Sequence, residues 1–144
     1  MQFTRASDYA ARVLSFLSNA NGNISRSQSI AIATGIPESF LAKILGQLTR
    51  AGFVHSHRGA RGGFSLAVDA GQLTLLDVVE AMEGPLHLNL CTSPEPCVYE
   101  GTCPIEKAWV EAETSLRDSL RSHKITDLAK ATRDAQLFLV SSVA

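Results

Sequence analysis

No apolar run in this chain of 144 residues approaches the roughly 20 consecutive residues that a membrane-spanning helix requires. The longest, such as Ile30–Ala33 and Leu137–Val140, end after a single turn's worth of chain. No signal-peptide pattern opens the sequence, so a cytoplasmic location and no membrane partner are expected. Cysteine is scarce, at three residues, and an odd number of thiols in a reducing compartment argues against a disulfide framework. There is no paired C-x-x-C of the kind that builds zinc ribbons. No Lys-Ser or Lys-Thr follows the glycine-rich stretch, which removes a phosphate-binding P-loop. A nucleophilic cysteine enzyme would need a base beside its thiol. His87 is the nearest imidazole in sequence, and no nucleophile elbow or cofactor loop accompanies it, so the chain is not expected to be an enzyme. Internal repeats and low-complexity linkers are absent as well.

What is present is enough apolar residue, 45%, to build a core, and a charge distribution that the net value of -1 conceals. Residues 1–63 carry seven basic side chains (Arg5, Arg12, Arg26, Lys43, Arg50, Arg58, Arg61) against two acids (Asp8, Glu38), a balance of +5. The remainder carries six basic and twelve acidic residues, a balance of -6. A basic half joined to an acidic half points to a polyanion at one end and a different task at the other.

Hydrophobic spacing predicts a first helix from Thr4 to about Ala20, with Ala6, Tyr9, Ala10, Val13, Leu14 and Leu17 inward. A short second helix should start at a serine cap, Ser25 or Ser27, carry Ile30 and Ala33 inward, and stop at Gly35. Pro37 suits the first turn of a third helix, with Leu41, Ile44, Leu45 and Leu48 buried. Ser39, Lys43, Gln47 and Arg50 share its opposite side. Two short helices about a tight turn, the second basic outside, fit a helix-turn-helix that reads double-stranded DNA. Gly46, in mid-helix, suggests close approach of another backbone. Strands are predicted at Phe53–His57 and Phe64–Val68, the second alternating Phe64, Leu66, Val68. Arg58-Gly-Ala-Arg-Gly-Gly63 between them reads as a wing whose glycines admit DNA and whose arginines enter a groove. His55 and His57 fall on the exposed strand face. Thr74 and Asp77 form the N-terminal signature of a fourth helix that ends at Gly84-Pro85. From Pro104 to about Arg121 runs the longest helical pattern, with Ile105, Ala108, Trp109, Ala112, Leu116 and Leu120 as its stripe. Such a helix suits pairing with its own copy. Thr126 is expected to cap a short helix through Ala131, ahead of an apolar tail at residues 136–144. The fold class is therefore mostly α with a small β wing: a winged helix-turn-helix over 1–84, a cysteine loop over 85–103, and a dimerisation helix with its tail over 104–144.

Cys91, Cys97 and Cys103 stand at equal intervals of six. Pro94, Pro96, Gly101 and Pro104 prevent the segment from forming one helix, so it is free to wrap around a centre. Soft thiolates select zinc, copper(I) or iron-sulfur centres, which usually want a fourth ligand; Glu106 is one candidate. A thiol-disulfide switch and inert burial are the other readings of the three thiols.

Taken together, Thr4-Arg-Ala-Ser-Asp-Tyr-Ala10, Leu48-Thr-Arg-Ala-Gly-Phe-Val54, the wing, Leu76-Asp-Val-Val79, the cysteine trio and Thr126-Asp-Leu128 resemble the Rrf-two-type family of bacterial regulators, with its IscR-, NsrR- and RirA-like branches. The likeness covers nearly the whole chain. It implies a homodimer with crossed long helices and an iron-sulfur cluster in each cysteine loop, 4Fe-4S ahead of 2Fe-2S. It further implies a transcriptional regulator, more often a repressor, that senses nitric oxide, redox state or iron status on a pseudo-palindromic operator. In the NsrR-like branch an acid on the partner's first helix completes the site, and Asp8 of the partner subunit takes that place. The IscR-like branch uses a histidine where this chain has Glu106. For DNA, Ser39, Lys43 and Gln47 are expected at base edges, Arg58 and Arg61 on the wing, and Arg5, Gln28 and Arg50 at phosphates. A cluster-free, thiol- or partner-regulated winged-helix factor is the alternative.

Overall fold

A computed structural model describes residues 3–143, with side chains through Asp134. Six α-helices and one hairpin follow in the order α1 (Arg5–Asn19), α2 (Ser27–Thr34), α3 (Glu38–Arg50), β1 (Val54–His57), β2 (Gly63–Leu66), α4 (Leu75–Glu83), α5 (Glu106–Ser122) and α6 (Ile125–Val143). The expected class, mostly helical with a small β wing, is the observed one.

Thr4 caps α1 by accepting a hydrogen bond from the Ala6 amide at 3.2 Å, and the helix buries Ala10, Val13, Leu14 and Leu17. These meet Leu41, Ile44, Leu45 and Leu48 of α3 and Ile30 of α2 in one core. The chain turns through 111° between α2 and α3, inside the range of a helix-turn-helix. Gly35, left-handed at φ 68°, closes α2 by donating to the Ala31 carbonyl at 2.9 Å, a conformation that costs any residue with a Cβ.

Four local expectations are corrected. Neither Ser25 nor Ser27 caps α2. Arg26 takes the cap position without a side-chain bond, because Ser25 is instead paired with the wing, exchanging backbone bonds of 2.8 Å with Phe64. The second inward residue of α2 is Ala31, not the exposed Ala33. In β2 the buried residue is Ser65, whose hydroxyl meets His57 Nε2 at 2.8 Å, while Val68 lies exposed beyond the strand. Thr126 lies inside the first turn of α6, which opens one residue earlier and continues to Val143. The side chains of the apolar tail fall outside the described residues.

The start of α4 has the expected reciprocal cap: Thr74 Oγ1 accepts from the Asp77 amide at 3.2 Å, and Asp77 Oδ2 accepts from the Thr74 amide at 2.8 Å. The turn between α5 and α6 is sewn to this point, with Leu75 N to His123 O and Ile125 N to Leu73 O both at 2.9 Å. Ile125 and Ala129 thereby enter the core beside α1, and Asn19 donates to the Ala129 carbonyl at 3.1 Å. A smaller apolar cluster of Leu76, Val79 and Leu86 receives Leu116 and Leu120 of α5.

Candidate DNA-binding face and cysteine cleft

The outer side of α3 follows from the packing of its inner side. With Leu41, Ile44, Leu45 and Leu48 buried, Ser39, Lys43 and Arg50 are left exposed and Gln47 half-buried. Arg5 at the start of α1 joins them, for Arg5, Lys43 and Gln47 line one hollow of about 300 Å³ floored by Tyr9, Phe40 and Ile44. Gln28 is exposed on the first turn of α2, and Arg58 and Arg61 are exposed on the hairpin. None of Arg5, Lys43, Arg50, Arg58 and Arg61 pairs with a carboxylate among the described residues, whereas Lys107, Arg117 and Arg121 of α5 all do. Cations left without a carboxylate partner are free for phosphate.

The hairpin joins β1 and β2 in antiparallel register, from Val54 opposite Leu66 to His57 opposite Gly63. Two of its glycines are required by the chain itself. A Cβ at Gly62 would strike the carbonyls of His57 and Gly59, and one at Gly63 would strike Ser25, where the wing pairs with the segment before α2. Gly59, at φ 103° with open space around it, is the glycine that the turn alone demands. Gly46 differs from expectation: among the described residues no backbone outside its own helix approaches it, and a Cβ there would meet only Arg50 Nη1 at 3.6 Å.

Sequence reasoning missed Phe40, which is 54% exposed beside Ser39 and Lys43 and sits edge-to-face on Tyr9 with ring centroids 6.2 Å apart.

Cys91 occupies a short 3-10 turn, Leu90–Thr92, whose first amide is capped by the Asn89 side chain at 2.8 Å. Beyond it, Glu100 N to Cys97 O at 3.1 Å and Glu106 N to Cys103 O at 3.3 Å fold the loop back on itself. The result is a cleft of about 60 Å³ lined by Cys91, Cys97, Cys103 and Glu106, with Glu95 and Glu100 at its walls. All three thiols are free and half-buried. The donor set suits a soft or iron-sulfur centre, yet no group of three His, Cys, Asp or Glu side chains is already drawn to ligating separation among the described residues. Asp8 is not part of this cleft. It lies exposed on α1, paired with Arg12 at 2.9 Å, on the edge of a groove of about 460 Å³ between α1, α2 and α6.

The stripe of α5 divides. Leu116 and Leu120 pack inward, while Ile105, Trp109 and Val110 remain exposed and the single buried residue of the helix is Glu113. Glu113 Oε2 accepts from the Leu88 amide at 2.8 Å, and His87 Nδ1 lies 3.7 Å from Oε1. Burial alone would raise this carboxyl; the Thr92 hydroxyl, the Leu88 amide and the charges of His87 and Arg117 outweigh it and hold it below the usual glutamate range. Arg117 Nη1 donates to Glu80 Oε1 at 2.7 Å and to the Leu86 carbonyl at 3.2 Å. At the other end of α4, Glu83 accepts from the Thr4 amide at 3.1 Å and the Ser7 hydroxyl at 2.6 Å. Desolvation opposes ionisation of Glu83, but the bonds from Ser7 and Thr4 prevail and lower its pKa.

Residues 3–131 match the model of the Rrf2 family, described as iron-dependent transcriptional regulators. The protein aau3 of Rhizobium meliloti (strain 1021) is 35% identical over 133 residues, covering 91% of this chain and 86% of that protein. Among solved structures, CymR, the global cysteine regulator of B. subtilis, superposes with a TM-score of 0.74 at 25% identity over 91% of this chain and 98% of its own. IscR of T. potens shares the fold at a TM-score of 0.71, with 24% identity over 94% and 91% of the two chains. With a helix-turn-helix, a wing held by glycines and a match over nearly its whole length, the chain belongs to the Rrf2 family of winged-helix transcriptional regulators, a family of DNA-binding proteins and not of enzymes.

Proposed function

We propose that this regulator works as a homodimer on a pseudo-palindromic operator and holds an iron-sulfur cluster in each cysteine loop. The observation that carries the reading is the cleft that three free thiols and Glu106 line together, on a loop braced against both α4 and α5. Cys91, Cys97 and Cys103 would hold the group, with Glu106 or Asp8 of the partner subunit as the fourth donor. A bound cluster, 4Fe-4S ahead of 2Fe-2S, would supply iron that reacts with nitric oxide or oxidants and is lost under iron shortage. The chain's own part is to close around it. Because the donors stand apart, ligation must draw the loop inward, which makes loop conformation a reporter of occupancy.

Dimerisation is supported by Ile105, just ahead of α5, and by Trp109 and Val110 on it, apolar side chains left partly exposed in the single chain. Ser39, Lys43 and Gln47 would read base edges, Arg58 and Arg61 would enter an adjacent groove, and Arg5, Gln28 and Arg50 would meet phosphates. Repression follows if the occupied dimer keeps its two recognition helices one DNA turn apart, about 34 Å, and the emptied one does not.

Purification without oxygen tests the reading. A brown protein with iron and acid-labile sulfide is expected; a colourless one with stoichiometric zinc would end it. A second reading, regulation by the thiols themselves, is favoured by the separation of the three half-buried sulfurs and by the likeness to a cysteine regulator. It predicts colourless protein whose DNA affinity changes on oxidation and is restored by a dithiol.

A further inference from the structure

An amphipathic helix that lies against a domain ordinarily presents an apolar residue at the centre of its inner side, yet α5 presents Glu113, 8% exposed. Placing a carboxylate there is unfavourable unless every exposed lone pair finds a donor, and the donors come from one short segment. Leu88 gives its amide at 2.8 Å, and His87 turns its otherwise unpartnered, buried Nδ1 toward Oε1. One helical turn on, Arg117 grips the carbonyl of Leu86. The amide of the same Leu86 is held at 3.2 Å by Glu80, which also bonds Arg117. Residues 86–88 are thus fixed through their backbone by three charged side chains from two helices, immediately before the turn that carries Cys91. Backbone capture fixes position in a way that apolar packing does not, because a hydrogen bond is lost over a few tenths of an ångström.

We propose that Glu113 is the positioning residue of the cysteine loop: it sets where Cys91 stands relative to α5, with Arg117 and Glu80 anchoring the same strand to α4. This holds whatever the thiols carry, a cluster or nothing, so it stands apart from the cluster reading. Cys91, three residues from the captured amide, is the thiol most tightly governed. Cys103, at the far end of the loop next to α5, is governed least.

The test uses the full-length protein without metal and a small aromatic disulfide as thiol probe, with labelling of each cysteine followed by mass spectrometry. Glu113→Gln keeps the size and one acceptor for the Leu88 amide but removes the charge; Glu113→Ala removes both. Cys91 should react about threefold faster in Glu113→Gln and about tenfold faster in Glu113→Ala, while Cys103 changes less than twofold. The amide of Leu88 should lose hydrogen-exchange protection in the same order. A merely structural contribution would speed all three cysteines together with a lowered melting temperature, and that outcome, or an unchanged Cys91 rate, overturns the proposal. If Glu113→Ala does not fold, Arg117→Lys provides the second reading. It keeps the charge beside Glu80 and shortens the reach to Leu86, and should accelerate Cys91 selectively, less than Glu113→Gln. Iron content measured on the same variants reports separately on the cluster.

Discussion

The recognition helix and the cysteine loop both turn polar side chains toward solvent, but they stand on different foundations. Behind Ser39, Lys43 and Gln47 lie Leu41, Ile44, Leu45 and Leu48, each at most 3% exposed, in a core shared with α1, α2 and α6. Behind Cys91 lie backbone hydrogen bonds that Glu113 and Glu80 accept and Arg117 donates, and Val98 and Tyr99, between the second and third cysteines, are 96% and 67% exposed. A surface on an apolar core keeps its shape when its ligand leaves. A loop whose only apolar anchor is Leu86 at its start, and which is otherwise held by polar contacts, has a shape that depends on what it holds. On the proposed function, a rigid reader and a yielding sensor are what a switch needs.

The largest expected effect probes the first foundation. Leu48→Ala should cost about 3 kcal/mol, within the range for burying and then deleting a leucine side chain. Val98→Ala should stay within about 0.5 kcal/mol, as for exposed positions. Urea unfolding of both variants measures this; comparable losses would dissolve the contrast. For function the ranking reverses onto charge. Replacing Arg5 and Arg50 with alanine should lower the slope of log affinity against log salt by about one per residue lost from a phosphate contact. Lys107→Ala, on the far half and paired with Glu111 at 3.6 Å, should leave that slope unchanged. Titrations of a random-sequence duplex across several salt concentrations decide it.

Gly46 sharpens the comparison from inside the recognition helix. Since a Cβ there meets only the Arg50 guanidinium at ordinary contact distance, Gly46→Ala should stabilise the helix by about 1 kcal/mol. Thermal melting reads the gain. DNA affinity measured on the same variant shows whether the open side of Gly46 is reserved for a phosphate backbone: a more stable protein that binds DNA more weakly means that it is.

Much of this was legible in the sequence. The period of Val13, Leu14 and Leu17, the cap at Thr74 and Asp77 and the stop at Gly84 reappear because each is a local requirement. What escaped depended on partners far along the chain. Ser25 looked like a helix cap and became a strand partner of Phe64; the need for Gly63 lies in Ser25, a contact no local pattern contains. Glu113 interrupted an otherwise apolar stripe four residues after Trp109, and only the tertiary meeting with Leu88 explains it. The three cysteines were visible as a set, and they line one cleft with Glu106, though not at ligating separation. Asp8 stands in another cavity of its own chain, so its candidacy as a donor rests entirely on a second subunit.

Acidity separates the two foundations at lower cost. Glu83 and Glu113 both have folded pKa values below the unfolded value of about 4.3. A lowered carboxyl contributes stability that is fully present above the unfolded pKa and lost as pH falls through the folded one. Below about pH 4.3, then, the tie from α4 to Thr4 and Ser7 and the capture of Leu88 should weaken together, while the apolar core is indifferent to protons. Amide exchange at Thr4 and Leu88 followed from pH 6 downward should rise before that of Leu45. Glu83→Gln should flatten the response at Thr4 and leave Leu88 titrating.

The smallest effect on stability concerns the residue with the most to say about the sensor. Asp8 and Arg12 form an exposed pair one helical turn apart, worth only about 0.3 to 0.5 kcal/mol, so Asp8→Ala should scarcely move the melting temperature of the metal-free protein. The weakness of the pair matters, because a carboxylate bound so loosely to its own helix can be given up to another partner at little cost. If Asp8 of the partner subunit completes the cysteine site, the same substitution should change the absorbance of anaerobically purified protein and shorten the lifetime of its colour in air. Arg12→Ala, which frees the carboxylate without removing it, should not. Equal spectra and lifetimes in both variants would leave the fourth position to Glu106 or to an exchangeable small molecule, and a change in Glu106→Ala would then choose Glu106.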